Sequence, residues 1–122
     1  MKTAFYTTAA VLVLLGWLAV LDKNNDFSLT QRENVHKFGA TYMTMNNPFF
    51  EVINETIRAT VESNGDILIT RDPALDADRQ TQQIYDLIDE GVEAIFIAPV
   101  DFEEIIPAVE YGRKKGIKII FV

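Results

Sequence analysis

The sequence contains no cysteine, so neither a disulfide nor thiolate chemistry is open to it. It has a single histidine, His36, and one imidazole cannot form the cluster that holds a transition metal; no metal or cofactor is expected. Glycine is sparse, 6 in 122 residues, and none builds a phosphate cradle. There is no G-x-x-x-x-G-K-[ST], and no G-x-G-x-x-G follows the first strand-like segment. A G-x-S-x-G nucleophile elbow is also missing. Acidic residues ending a first strand would mark a phosphoacceptor domain, but Thr44, Met45, Asn46 and Asn47 stand there. No set of catalytic groups emerges, and a non-enzyme is expected. Basic residues are scarce, 11 against 18 acidic, for a net charge of -7. A nucleic-acid surface is normally a basic patch, so a nucleic-acid partner is not expected.

What is present first is an apolar run. Thr3 to Leu21 is 19 residues without a charge, preceded by Lys2 and followed by Asp22, Lys23 and Asp26. That length spans a bilayer. A lysine on the short side places that side in the cytoplasm and the rest outside. Cleavage after Ala19 would put Trp17 where a small residue is wanted, a poor site. The expectation is therefore a retained signal anchor over 1–21, in the membrane through residues 3–21. The remainder is then exported, to the periplasm or the outer face of the cytoplasmic membrane. Residues 22–36 are polar and read as a juxtamembrane spacer.

Beyond it, strand and helix patterns alternate. Phe38 to Met45 reads as a buried strand, and Pro48 to Ser63 as a helix with Phe50, Ile53, Ile57 and Val61 on one stripe. Gly65 follows as a left-handed cap. Asp66 to Thr70 is a second strand. Asp76 to Glu90 is a second helix with Thr81, Ile84, Leu87 and Ile88 inward. Glu93 to Ile97 is a third strand. A third helix is expected from about Phe102 to Lys115, opened by Asp101 and Glu104 at capping-box spacing. Ile117 to Val122 is a fourth strand. This β-α-β-α-β-α-β pattern predicts an α/β fold: a three-layer parallel sheet of order 2-1-3-4, with helices on both faces. In that order the apolar fourth strand is an unprotected edge, and the expectation is that part of the protein is missing.

The chain is organised around Thr44-Met45-Asn46-Asn47-Pro48-Phe49-Phe50, where the first strand gives way to a helix. In open α/β sheets ligands bind in the crevice beyond the carboxyl ends of the strands. Asn47 suits the helix cap and Pro48 its first position. Two adjacent phenylalanines at a helix start cannot both face inward, since neighbours point about 100° apart. An aromatic face beside an amide is what a sugar ring requires.

Three loops share that end of the sheet: Asn46 to Phe50, Arg71 to Leu75, and Ala98 to Phe102. They gather Asn46, Asn47, Arg71, Asp72 and Asp101 with Phe49, Phe50 and Phe102, an inventory suited to carbohydrate. Each candidate has a structural alternative. Asn47 and Asp101 serve equally as helix caps, Phe50 as core, and Arg71 as a surface ion-pair partner. The acidic run Asp86 to Glu90 reads as a solvated helix face, and His36 as a loop residue far from the crevice.

Several segments together resemble a known family. They are N-N-P-F-F at the strand–helix junction, D-I-L-I-T-R-D-P with D-A-D-R-Q-T-Q-Q-I, G-V-E-A-I-F-I-A-P-V-D, and G-I-K-I-I-F-V. This pattern, over about Lys37 to Val122, resembles the periplasmic sugar-binding proteins of the ribose-binding type. These are substrate-binding components of ABC transporters, and their fold is shared with LacI-type effector domains. The resemblance implies one lobe of a two-lobe fold that closes on a monosaccharide and docks on a transporter permease. It implies that Asn47 hydrogen-bonds sugar hydroxyls while Phe49 and Phe50 wall the ring. Ala98-Pro99 stands where the ribose-type pattern has Asn-Pro, which argues against ribose. The Asp-Arg pair that follows the fourth strand in the family would lie past Val122. Residues 37–122 thus look like an amino-terminal lobe, with the second lobe and hinge absent. The rival reading is a membrane-anchored sensor or interaction module built on the same lobe.

Overall fold

The computed structural model describes residues 34–122. The apolar segment 1–21 and nearly all of the spacer 22–36 lie outside the described residues. Among the described residues no helix is long and apolar enough to cross a membrane.

Four strands and three helices alternate: β1 (Lys37–Thr41), α1 (Pro48–Ser63), β2 (Ile67–Arg71), α2 (Ala77–Asp89), β3 (Ala94–Ile97), α3 (Ile106–Lys114) and β4 (Lys118–Phe121). The strands form one parallel sheet in the order β2-β1-β3-β4, as the alternation predicts. Side chains alternate across this sheet and build two cores. Ala40, Tyr42, Leu68 and Ala98 pack with Phe50 and Val61 of α1 on one face. Ile95 and Ile97 pack with Ile84, Leu87, Ile88, Ala108 and Val109 of α2 and α3 on the other. Gly39 permits the close approach of α2 to β1, because a Cβ there would meet Leu87 at 3.0 Å.

The bounds of α1 follow its local chemistry. Asn47 caps the start, Pro48 fills a position where no donor is missed, and Gly65 (φ 82°) closes the end. The Gly65 amide donates to Glu62 O (2.9 Å) and the Asp66 amide to Val61 O (3.2 Å), a Schellman closure. Asn54 is almost fully buried within α1, where the sequence pattern shows only a polar position. It is satisfied because its Oδ1 accepts from the Thr70 hydroxyl at 2.7 Å, and Arg58 donates to the same hydroxyl at 3.0 Å.

Three bounds differ from expectation. The first strand stops at Thr41 rather than Met45, because the backbone beyond it bonds to a loop instead of a ladder. Leu75 N donates to Met43 O at 2.8 Å, and Met45 N to Asp72 Oδ1 at 3.1 Å. β2 is shifted one residue along, which moves Arg71 from the loop into the strand end. The third helix starts at Ile106, not Phe102. Pro107 sits in its first turn, and a helix begun at Phe102 would drive that ring into the preceding turn's carbonyl. Residues 102–105 form a turn instead.

Candidate functional site

The chain leaves β1 toward β2 on one side, while β3 pairs with β1 on the other. The carboxyl ends of β1 and β3 are therefore the point where the winding of the sheet reverses. In open α/β sheets the connecting loops diverge at such a point and ligands bind beyond the strand ends. Here those loops are residues 42–47 and 98–105.

On the β1 side, Asn47 has extended backbone (φ -137°, ψ 119°). Its Oδ1 accepts from the Phe49 amide at 3.0 Å, and its carbonyl accepts from Phe50 and Glu51. The cap occupies the oxygen of the side-chain amide. The two N–H donors on Nδ2 have no acceptor among the described residues. Asn46 is exposed, its own amide donating to the Thr44 hydroxyl at 3.1 Å. The two phenylalanines divide as helical geometry requires. Phe50 is buried and stacked on Tyr42 (centroids 5.9 Å, planes 21°), whereas Phe49 is 65% exposed. Tyr42 itself is fully buried and its hydroxyl has no partner among the described residues. Burial pushes that phenol up to about 12, against a smaller opposing pull from the Arg58 charge.

On the β3 side, the organising residue is Gln80, which the sequence pattern misses. It is fully buried in the first turn of α2, under the end of β3. Its Nε2 donates to Ala98 O (3.0 Å) and Thr41 Oγ1 (3.3 Å), and its Oε1 accepts from Val100 N (2.7 Å). A glutamine among hydrophobic positions is the one signal that could have revealed it, since a buried amide must be satisfied from both ends. Thr81, expected inward, is only half-buried. Asp101 is exposed, and its Oδ1 accepts from the amides of Glu103 (2.8 Å) and Glu104 (3.2 Å). It thus closes the 102–105 turn rather than capping α3, whose cap position is Ile105. Asp78 and Asp101 near the Glu104 carboxyl, with Asp78 the larger effect, hold that group above the usual carboxylate range.

The β2 loop is committed to structure. Asp72 Oδ1 accepts from both Met45 N and Ala74 N, and Asp72 O accepts from Gln83 Nε2. Arg71 Nη2 lies 2.6 Å from Glu90 Oε1 at the far end of α2. Asn46, Asn47 and Phe49 thus follow β1 and Asp101 follows β3, at the same end of the sheet, while Phe50 is buried in the core and Arg71 is turned to an ion pair. Phe102 packs against Phe121 with tilted rings (centroids 5.6 Å, planes 41°) and lines a separate groove of about 350 Å³ with Ile106 and Val109. His36 sits at the opposite end of the sheet, where its Nδ1 meets Glu93 Oε1 at 2.7 Å. Among the described residues no group of His, Cys, Asp and Glu is placed to hold a metal.

Known proteins share this sequence pattern and fold. Residues 38–122 match the family model described as periplasmic binding protein domain. The ribose import binding protein of Bacillus subtilis (strain 168) is 33% identical over 84 residues, covering 69% of this chain and 28% of that protein. An ABC transporter solute binding protein from Mycobacterium smegmatis, solved with bound glycerol, superposes with a TM-score of 0.68 at 28% identity. That match covers 73% of this chain and 31% of the other. A Caulobacter myo-inositol binding protein shares the fold at TM-score 0.66 and 16% identity, over 74% and 30% of the two chains. This chain spans about three tenths of the length of these relatives. By its sequence over 38–122 and its parallel sheet of order 2-1-3-4, the chain belongs to the periplasmic binding protein domain family.

Proposed function

We propose that residues 37–122 are the amino-terminal half of an extracytoplasmic monosaccharide-binding site, serving as the recognition component of an ABC sugar transporter. The observation that carries this reading is the pairing of Asn47 and Phe49 at the switch point. An amide whose oxygen is locked in a helix cap keeps two donors for hydroxyls. Beside it an exposed ring offers an apolar face to the CH groups of a sugar. Asn46 and Asp101 supply further polar contacts, Phe50 backs Phe49, and Arg71 joins only by leaving Glu90. The described charges and amides form a binding inventory rather than a catalytic one.

In this reading the opposing half of the site comes from a second lobe, as the family resemblance implies, so the chain by itself binds sugar weakly. The segment through residues 3–21 holds it at the membrane beside the permease. Saturation-transfer NMR on the full 122-residue chain, with a panel of pentoses and hexoses, tests the reading. The expected result is weak transfer to sugar ring protons that is lost in Phe49→Ala. No transfer to any monosaccharide at millimolar concentration overturns it.

One observation favours a second reading, an interaction module. Ile120 and Phe121 on the edge strand β4, and Val122 just after it, are 39%, 45% and 47% exposed, and such an edge pairs readily with another chain. A discrete dimer by sedimentation, with no sugar binding, would select that reading.

A further inference from the structure

We propose that Thr41, Gln80 and Gln83 are positioning residues for the binding site, joined in one hydrogen-bonded chain that ties together all three loops at the carboxyl ends of the strands. This inference rests on the monosaccharide reading above and extends it. Gln80 and Gln83 are three apart in α2 and so share a face. Thr41, the last residue of β1, bonds to both. Its hydroxyl donates to Gln83 Oε1 at 3.2 Å and accepts from Gln80 Nε2 at 3.3 Å. From this node the bonds run two ways. Gln83 Nε2 donates to Asp72 O at 2.9 Å, and Asp72 Oδ1 accepts from Met45 N at 3.1 Å, directly before Asn46 and Asn47. Gln80 donates to Ala98 O at 3.0 Å and accepts from Val100 N at 2.7 Å, directly before Asp101.

The links share one direction. Val100 N donates to Gln80, Gln80 to Thr41, Thr41 to Gln83, and Gln83 to Asp72. Bonds aligned in this way polarise and strengthen one another. Thr41 has a single hydroxyl proton, and committing it to Gln83 leaves a lone pair for Gln80. Thr41 and Gln80 are fully buried, so water does not replace a broken link there, and no sugar touches them. They act through the backbone at Met45 and Val100. The side chains that would meet a sugar, Asn46, Asn47 and Asp101, are exposed and take their places from that backbone. Recognition of hydroxyls needs donors and acceptors held to within about 0.5 Å, which this chain supplies from beneath.

Two variants at the node separate positioning from packing. Thr41→Val keeps the shape and removes the hydroxyl, whereas Thr41→Ser removes a methyl and keeps the hydroxyl. Amide hydrogen exchange on the full 122-residue chain reads the coupling, with the fully buried Ile95 of β3 as the measure of global unfolding. Relative to Ile95, the Met45 and Val100 amides should exchange about tenfold faster in Thr41→Val than in Thr41→Ser. Saturation-transfer titration with D-ribose, D-xylose, D-glucose and D-galactose should find affinity for the best-bound sugar about tenfold weaker in Thr41→Val than in Thr41→Ser. Gln83→Met cuts the chain at a half-buried position, and exchange at Val100, which Gln83 does not touch, should still rise severalfold over wild type. If Thr41→Val does not fold, this variant decides alone. Equal exchange or equal affinity in the two Thr41 variants overturns the inference and leaves the monosaccharide reading standing. A rise confined to Met45 in Gln83→Met does the same. A wild type that binds no monosaccharide overturns that reading, and the inference with it.

Discussion

The rings of Phe49 and Phe50 meet edge to face, with centroids 5.2 Å apart and planes at 74°, although one ring is 65% exposed and the other is buried. Two adjacent residues of one type therefore do different work, and mutation should separate them. Phe50→Ala removes the partner of Tyr42 from the α1 core and should cost about 3–5 kcal/mol, the usual loss for a buried aromatic. Phe49→Ala should cost under about 1 kcal/mol in stability while abolishing saturation transfer to sugars. Urea denaturation of both variants checks this. Equal destabilisation would mean that Phe49 is a core residue.

Asn47 invites the same separation, because its amide does two jobs with two atoms. Asn47→Ala removes the cap and should cost about 1 kcal/mol. Asn47→Asp keeps an oxygen for the Phe49 amide and adds a negative charge at the positive end of α1, so thermal stability should hold or rise slightly. The donors on Nδ2 are lost in that variant, and sugar binding should fall with them. Retained binding in Asn47→Asp would reduce Asn47 to a cap alone.

These residues also show what the sequence reveals. The bounds of α1 are legible because Asn47-Pro48 and Asn64-Gly65 each satisfy a backbone requirement locally, within a few residues. The strand order is legible because alternating strands and helices leave few ways to wind. The end of β1 is not, since Tyr42 to Met45 look like strand and only the distant Asp72 and Leu75 divert their hydrogen bonds. Gln80 is hidden for the same reason. Its partners, Thr41, Ala98 and Val100, come from two other elements, and a polar letter in a helix looks like surface until they are known. Arg71 reads as a crevice residue because its loop position is visible, while Glu90 is 19 residues away in sequence.

The Tyr42 hydroxyl is fully buried and without a partner among the described residues, so it was stripped of water with nothing given in return. Tyr42→Phe keeps the stack on Phe50 and removes that burden. Stability should rise by about 1 kcal/mol, read as a higher urea midpoint at unchanged slope. In the wild type this phenol, held up to about 12, should stay protonated in ultraviolet titration until the fold itself gives way. A loss of stability in Tyr42→Phe would show that the hydroxyl has a partner, such as a buried water.

At the far end of the sheet His36 joins three strands' entries. Its amide donates to Asp66 Oδ1 (3.0 Å) just before β2, its carbonyl accepts from Ile67 N (3.0 Å), and its Nδ1 meets Glu93 Oε1 (2.7 Å) just before β3. The hydrogen bond to Glu93 is the largest cause raising the imidazole above its ordinary 6.5. The charges of Glu93 and Asp66 add to it, and slight desolvation opposes. The sign follows from proton binding: the folded state holds this proton more tightly than the unfolded state does. The pair's contribution is fully present below pH 6.5 and is lost as pH rises through the higher folded value. As His36 is the only histidine in the sequence, its ring protons give an unambiguous NMR titration. The midpoint should lie above 6.5 and fall back toward it in Glu93→Gln. In His36→Ala the stability lost relative to wild type should be larger at pH 6 than at pH 9. A wild-type midpoint at or below 6.5 would show that the pair does not persist in solution, and the pH dependence would then have to come from another group.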